Sequence, residues 1–222
     1  MVVEGLSKSF PTTTEPLRVL RELSISLEGG ESTAIVGPSG SGKSTLLQIL
    51  GTLDQPDHGK VTLDDCNPFE LSAAALARFR NEKIGFVFQD HHLLPQLTVG
   101  ENVLVPTLAA GRTTDAQRER AGELIAAVGL ANRVDHLPGQ LSGGERERVA
   151  IARAMIMAPS LILADEPTGN LDRHTAEQVT ELLLKLQTDS RAILVCVTHS
   201  ESLAHAMQGR LELVDGRLVG QA

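Results

Sequence analysis

STAIVGPSGSGKSTLLQIL, Ser32–Leu50, is the stretch whose reading decides the fold. A short run rich in β-formers leads into three glycines within six residues, Gly37, Gly40 and Gly42. KSTLLQIL then repeats its leucines and isoleucine at helical spacing. Gly37, Gly42, Lys43 and Ser44 fit G-x-x-x-x-G-K-[ST], set after a strand and before a helix. Glycines let successive backbone N–H groups turn inward around phosphates, and the following helix adds its positive end. In this reading Lys43 reaches the β- and γ-phosphates of a nucleotide and the Ser44 hydroxyl ligates Mg²⁺. Pro38, Ser39, Gly40, Ser41 and Thr45 complete the wall around the phosphates.

Working outward, the first part of the chain reads as strands: VVEGL, then LSISL with clean alternation at Leu23–Leu27, then STAIVG. TTTEP, Thr12–Pro16, is the expected turn between the first two. DQPDHG at Asp54–Gly59 breaks the chain before a strand KVTLDD. LSAAALARFRN reads as a helix and KIGFVFQ as a buried strand ending near Gln89. From Gly100 to about Met157 the pattern is mostly helical. Thr114 and Gln117 resemble a capping box, Ala121, Leu124, Ile125 and Val128 follow at helical spacing, and Gly129 is placed to end the helix. Strands resume with SLILAD, AILVCV and RLELV. Strands alternating with helices imply a covered, mainly parallel sheet, and the early hairpin a small antiparallel β layer beside it. The expectation is an α/β nucleotide-binding core of the P-loop NTPase (RecA-like) kind, one domain over residues 1–222. A helical subdomain is expected at roughly 90–158.

Composition bounds the partners. A chain of 222 residues can bury one substantial core. Its formal net charge of −8 gives no electrostatic grip on nucleic acid or anionic lipid, so no nucleic-acid partner is expected. The longest strongly apolar runs are too short to cross a bilayer, and MVVEGLSKSF lacks the continuous apolar core of a signal peptide. A cytoplasmic chain, brought to a membrane only by a partner, is therefore expected. Two cysteines, Cys66 and Cys196, make neither a disulfide framework nor a metal site, and Cys196 reads as a buried, inert thiol.

Further residues cluster by chemistry. SLILADEP presents Asp165 at the carboxyl end of an apolar strand, where such sheets place ligands, and Asp165 would hold Mg²⁺. Glu166 is a suitable base to orient and polarise the attacking water. Gln89 and His199 also end apolar strands and would point to the same edge. An amide there can touch Mg²⁺ or the water, and an imidazole the γ-phosphate. Singly, each also reads as an ordinary strand-end polar group. His91 and His92 lack a third ligand at sensible spacing for a metal. LSGGERERVAIARAM, Leu141–Met155, is a second anion-binding arrangement: Ser142, Gly143 and Gly144 open a helix whose Val149, Ala150, Ala152, Arg153 and Ala154 allow close packing. Alone, it equally reads as a glycine-capped amphipathic helix.

Taken together and in order, these motifs resemble the ATP-binding cassette (ABC) ATPases, from about Val2 to Gly216. GPSGSGKST resembles their Walker A motif, Gln89 their Q-loop, LSGGE their signature and LILADEP their Walker B with the catalytic glutamate. NLD, Asn170–Asp172, resembles the D-loop and His199 the switch histidine. The resemblance implies head-to-tail homodimers, in which the signature of one chain closes over ATP held by the Walker A of the other. GFVFQDHHLLPQLTVGENV and LADEPTGNLD are similar to the lipoprotein-releasing and macrolide-export group of stand-alone ATPases. That group implies an integral-membrane permease, met through the segment after Gln89, on the cytoplasmic face of the inner membrane. Two departures stand out: Glu147 where Gln is usual, and Ser200 where Asp is usual. Phe10 stands where an aromatic residue, commonly Tyr, stacks on adenine; a core Phe is the competing reading. Rival ABC classes fit less well. Chromosome-associated members carry long coiled coils between Walker A and signature, ribosome-acting members usually carry two cassettes, and a regulator of a channel-less membrane partner shares the same motifs.

Overall fold

The structure is a computed structural model that describes residues 1–13, 15–109 and 111–220. Residue 14, inside the expected Thr12–Pro16 turn, lies outside the described residues. Strands β1 (Val2–Phe10) and β2 (Leu17–Ser26) form an antiparallel hairpin. Along it Leu23, Ile25 and Leu27 are buried while Ser24 and Ser26 face out. β3 is Ser32–Val36, and β4 (His58–Thr62) pairs with the free edge of β1, giving the small sheet the order β2-β1-β4. β4 thus starts at His58, earlier than the KVTLDD run, because Gly59 fits against the Glu4–Gly5 backbone, where a Cβ would lie 2.6 Å from Glu4 O.

The main sheet joins β3 to β5 (Ile84–Phe88), β6 (Leu161–Asp165), β7 (Ile193–Val197), β8 (Gly209–Val214) and β9 (Arg217–Val219). Its order is β5-β6-β7-β3-β8-β9, with every pairing parallel except the β8–β9 hairpin. Both faces are covered, which is why its strands read as continuous apolar runs rather than as alternations. Leu161 and Leu163 of β6 point to one cluster, with Leu46, Leu47, Ile49 and Leu50 of helix α1 (Lys43–Leu50) and Leu6, Leu20 and Leu23 of the hairpin. Ile162 and Ala164 point to the other. Each such Leu or Ile side chain contributes about 1.5–3 kcal/mol by leaving water.

Helix α2 (Ala73–Lys83) leads into β5. The expected helical segment contains α3 (Val99–Leu108), α4 (Asp115–Ala127) and α5 (Gly143–Met155). Thr98, Thr114 and Ser142 start them, each with a reciprocal capping box to Glu101, Gln117 or Glu145. Val103, Ala121, Ile125, Val149 and Ile151 share one hydrophobic cluster with Val87, Ile162 and Cys196 of the sheet, so these helices and the sheet have a common core. α5 lies against β5 so closely that a Cβ on Gly85 would sit 2.4 Å from Ala154 O. Helices α6 (Arg173–Ser190) and α7 (Glu201–Ala206) complete the layer, with Val179, Leu183 and Leu203 in the same cluster. Cys196 is fully buried, and burial pushes its thiol well above the usual range, so it is unreactive.

Candidate active site

Strand order and register bring the chemistry together. Phe88, Asp165, Val197 and Ile35 are register partners across β5, β6, β7 and β3. The next residues, Gln89, Glu166 and Thr198, therefore emerge side by side, with the Gly37 loop beside them at the carboxyl edge of the sheet. Adjacent strands are about 4.8 Å apart, so the row spans ~14 Å.

The loop from Gly37 to Gly42 turns on glycine. Gly37 has φ 149°, and a Cβ there would lie 2.2 Å from Leu213 O. Gly42 is left-handed at φ 105° and passes 2.9 Å from Val19 O, again measured from an added Cβ. It starts α1 without a side-chain cap, and no acidic residue occupies the first turn, so this helix end is open to an anion. Lys43 is buried, and its Nζ donates to Gly37 O and Pro38 O, both at 2.9 Å. Pro38, Ser39, Gly40 and Ser44 are exposed, Thr45 is half-buried, and Ser41 is buried with no partner for its hydroxyl. A polar loop that folds its own lysine inward, with an orphaned hydroxyl beneath, fits phosphate oxygens as the missing partners.

Asp165 ends β6, half-buried. Burial pushes its carboxyl above the usual range, the neighbouring Glu166 charge adds to this, and Lys43 opposes it. Two crowded carboxylates beside the exposed Ser44 hydroxyl and the Gln89 amide form a hard-oxygen donor set. Among the described residues no group of three or more His, Cys, Asp or Glu gathers at metal-binding distance. That pattern fits Mg²⁺, which takes one or two protein carboxylates and completes its shell with substrate phosphate and water. His91 and His92 do not join the site: one pairs with Glu147 at 2.6 Å, and the other packs edge-on against Phe88.

Glu166 follows β6 in the left-handed region, φ 46°, a backbone state that costs about 1–3 kcal/mol in a residue other than glycine. Its N–H donates to Val197 O at 2.9 Å. Thr198 Oγ1 donates to Glu166 Oε2 at 3.1 Å, while Oε1 is buried with no hydrogen bond and lies 3.8 Å from His199 Nε2. An oriented carboxylate with one oxygen unpaired, on a residue that lines a cleft, is suited to accept a proton from water. That cleft is lined by Gln89, Thr168, Gly169, His199 and Ser200. His199 also borders a second hollow with Gly37 and Pro38. Gln89 and Asn170 face each other, Nε2 to Oδ1 at 3.4 Å and Nδ2 to the Gln89 carbonyl at 3.3 Å.

Phe10 pairs with Leu17 at the turn end of the hairpin, whose β2 runs past Gly42 through Val19. Its ring is 37 % exposed, with Lys8 Nζ 5.2 Å from the centroid, so it is an edge residue rather than a core one.

Ser142, Gly143 and Gly144 are set apart from this gathering. Ser142 Oγ accepts from Glu145 N–H at 3.2 Å, and Glu145 Oε2 accepts from Ser142 N–H at 2.7 Å, which holds the Glu145 carboxyl below its usual range. Gly144 leaves no room for a side chain, since a Cβ would meet Thr175 Cγ2 at 2.3 Å, and Gly143 lies beside Leu171. Among the described residues no hydrogen bond or ion pair joins Ser142–Gly144 to Gly37–Thr45. Asp172 caps α6, accepting from Thr175 N–H at 3.1 Å and Thr175 Oγ1 at 2.6 Å. Ser200 likewise caps α7. Thr198 is not singled out by the sequence reading, and Asn170, which opens the NLD motif, adds a contact to Gln89 that the motif does not announce. The signal for Thr198 was its place between an apolar strand and His199, and for Asn170 its place one residue past Gly169.

Residues 20–169 match the ABC transporter family model. The chain is 63 % identical over 99 % of its length, and 96 % of the relative's, to the lipoprotein-releasing system ATP-binding protein LolD 1 of Rhodopirellula baltica. It is 50 % identical over 98 % of its length, and 96 % of the relative's, to LolD of Geobacter metallireducens. Among solved structures, a dimeric post-hydrolysis state of the ATP-binding cassette MJ0796 bound to ADP and Pi superposes with TM-score 0.88 at 38 % identity, covering 100 % of this chain and 97 % of that one. The chain belongs to the ABC transporter family, as an ATP-hydrolysing subunit.

Proposed function

We propose that two copies of this subunit bind MgATP between them, head to tail, and that hydrolysis drives an integral-membrane partner in lipoprotein release. The observation that carries this is the separation of two phosphate-binding devices on one chain. The Gly37–Thr45 loop sits with Asp165 and Glu166, whereas among the described residues no hydrogen bond or ion pair joins Ser142–Gly144 to it, and we assign that helix start to a second copy. The relatives named for lipoprotein release support the cargo class, and the ADP-bound dimeric relative supports the pairing.

Each residue then has a role. The loop amides from Gly37 through Thr45 surround the phosphates and Lys43 neutralises the charge that opposes in-line attack. Ser44, Asp165 and Gln89 would hold Mg²⁺. When bound, the cation would supply Lewis-acid stabilisation of the charge that develops on the transferring phosphate. Glu166, oriented by Thr198, accepts the proton of the attacking water through its unpaired Oε1. Gln89 and His199 contact the γ-phosphate side, and Phe10 stacks on adenine, a contact that needs no hydroxyl. Ser142 keeps its hydroxyl proton free while its oxygen accepts from Glu145, so the proton can be donated to the neighbour's γ-phosphate, beside the Gly143 and Gly144 amides. Asp172 stands near the dimer seam, its carboxylate already ordered by Thr175.

No helix among the described residues is long and apolar enough to cross a membrane. Membrane attachment would therefore come through the permease, on the cytoplasmic face of the inner membrane. A groove lined by Leu53, Phe86, Phe88, Val105, Pro106 and Met157, beside the loop after Gln89, is the apolar surface offered to it. One variant tests the reading. Glu166→Gln should bind ATP as before, lose hydrolysis by about 100-fold or more, and accumulate as a dimer with ATP on size exclusion. Rapid multiple turnover by that variant would remove Glu166 as the base. Co-purification of the full chain with a permease from detergent extract tests the membrane partner.

A further inference from the structure

Glu147 lies in the second turn of α5, 1 % exposed, and none of the roles above uses it. A buried carboxylate is costly unless it is closely paired. Its partner is His91, whose Nδ1 is 2.6 Å from Glu147 Oε2 and whose side chain is 11 % exposed. Burial pushes the Glu147 carboxyl above its usual range, and the His91 ring, its close polar contact, opposes this. Arg153, six residues along the same helix, donates to the carbonyls of both His91 and His92, at 2.5 and 2.7 Å.

The segment so gripped is strained. His91 and His92 are consecutive non-glycine residues in the left-handed region, φ 59° and 48°. Such a conformation persists only where its surroundings over-determine it. Here α5 supplies three of the anchors: the Glu147 contact to the His91 ring and two Arg153 hydrogen bonds to carbonyls. His91 is two residues from Gln89, and Glu147 is three residues from Gly144. The same contacts therefore tie together the carrier of the γ-phosphate contact and the helix that begins with the signature.

We propose that Glu147 is a positioning residue: through His91, and with Arg153, it fixes the loop carrying Gln89 to the helix that opens at Ser142. The γ-phosphate contact of one ATP site and the signature of the other then shift as one unit. This rests on the head-to-tail reading above.

The test is the ATP dependence of hydrolysis by the full chain, with ATP affinity and melting temperature measured on the same preparations. Glu147→Leu should lower kcat about 5- to 20-fold with KM and ATP affinity within about twofold. Its Hill coefficient should fall from about 2 toward 1, because the sites no longer move together. Glu147→Gln, which keeps shape and a polar contact to His91, should recover most of kcat. The double variant His91→Leu with Glu147→Leu should regain the melting temperature lost by His91→Leu alone but keep the low Hill coefficient. If Glu147→Leu is insoluble, His91→Leu carries the same kinetic expectation. Unchanged kcat and Hill coefficient in either variant overturn the inference, as does a kcat that follows melting temperature through all variants, the double included. A wild-type chain that hydrolyses no ATP overturns the site reading itself, whereas wild-type hydrolysis with indifferent variants overturns this inference alone.

Discussion

Two helices of this chain begin on glycine, α1 behind Gly42 and α5 behind Ser142, and their first turns differ in what they leave unbonded. α1 has a left-handed glycine at its start, no side-chain cap and no acid in its first turn. Its lysine folds back on the loop carbonyls, and a buried hydroxyl waits beneath. α5 is closed by a reciprocal capping box that places the Glu145 carboxylate at the same helix end. An open, cationic cradle binds phosphate by itself; a capped helix start with an acid beside it adds only a few donors to an anion already held elsewhere. The difference supports the proposal that the first device binds the nucleotide and the second completes a site made by another copy.

The most damaging change to this contrast falls on α1. Lys43→Ala should reduce steady-state phosphate release by about 100-fold or more, since Lys43 is the one basic residue in the sequence of the Gly37–Thr45 loop. Ser142→Ala should cut hydrolysis about tenfold and remove about 1 kcal/mol of stability as a lost cap, while ATP affinity stays unchanged. Weakened nucleotide binding in that variant would merge the two devices and end the comparison. Thr198→Val removes one donor from Glu166 Oε2 and should lower kcat about 5- to 10-fold with KM unmoved.

The smallest effect is on stability. The Asp165 carboxyl is pushed up by burial first, then by Glu166. A raised folded value means the stabilising state is the protonated one, present at acid pH and lost as pH rises through that raised value. At neutral pH the nucleotide-free chain therefore carries a disfavoured charge. Asp165→Asn should raise its melting temperature by about 1–3 °C while eliminating hydrolysis. The gain should vanish as the pH is lowered below the carboxylate range.

Much of this was legible because the signals are local. A glycine loop between a strand and a helix, an acid pair closing an apolar strand and the Thr114–Gln117 capping box all lie within a few neighbouring residues. Reading both faces of the main sheet as buried also needed only the runs LILA and ILVCV. What escaped depends on contacts between distant residues. That β4 lines up on β1 requires Gly59 to meet the Glu4–Gly5 backbone, and nothing in KVTLDD announces it. Arg153 reads as one residue of a close-packing helix, yet its guanidinium reaches 62 positions back to His91. Thr198 and Asn170 act by holding Glu166 and Gln89, and hydroxyls and amides of that kind are too common to stand out.

Reciprocity between two copies is tested most directly by mixing. Lys43→Ala chains lack the cradle and Ser142→Ala, Gly143→Val chains lack the completing helix, so each preparation alone should be nearly inactive. Random pairing makes half the dimers mixed, each with one intact composite site, so an equal mixture should regain up to about a quarter of wild-type hydrolysis. A mixture no more active than the mean of its two components would contradict the account.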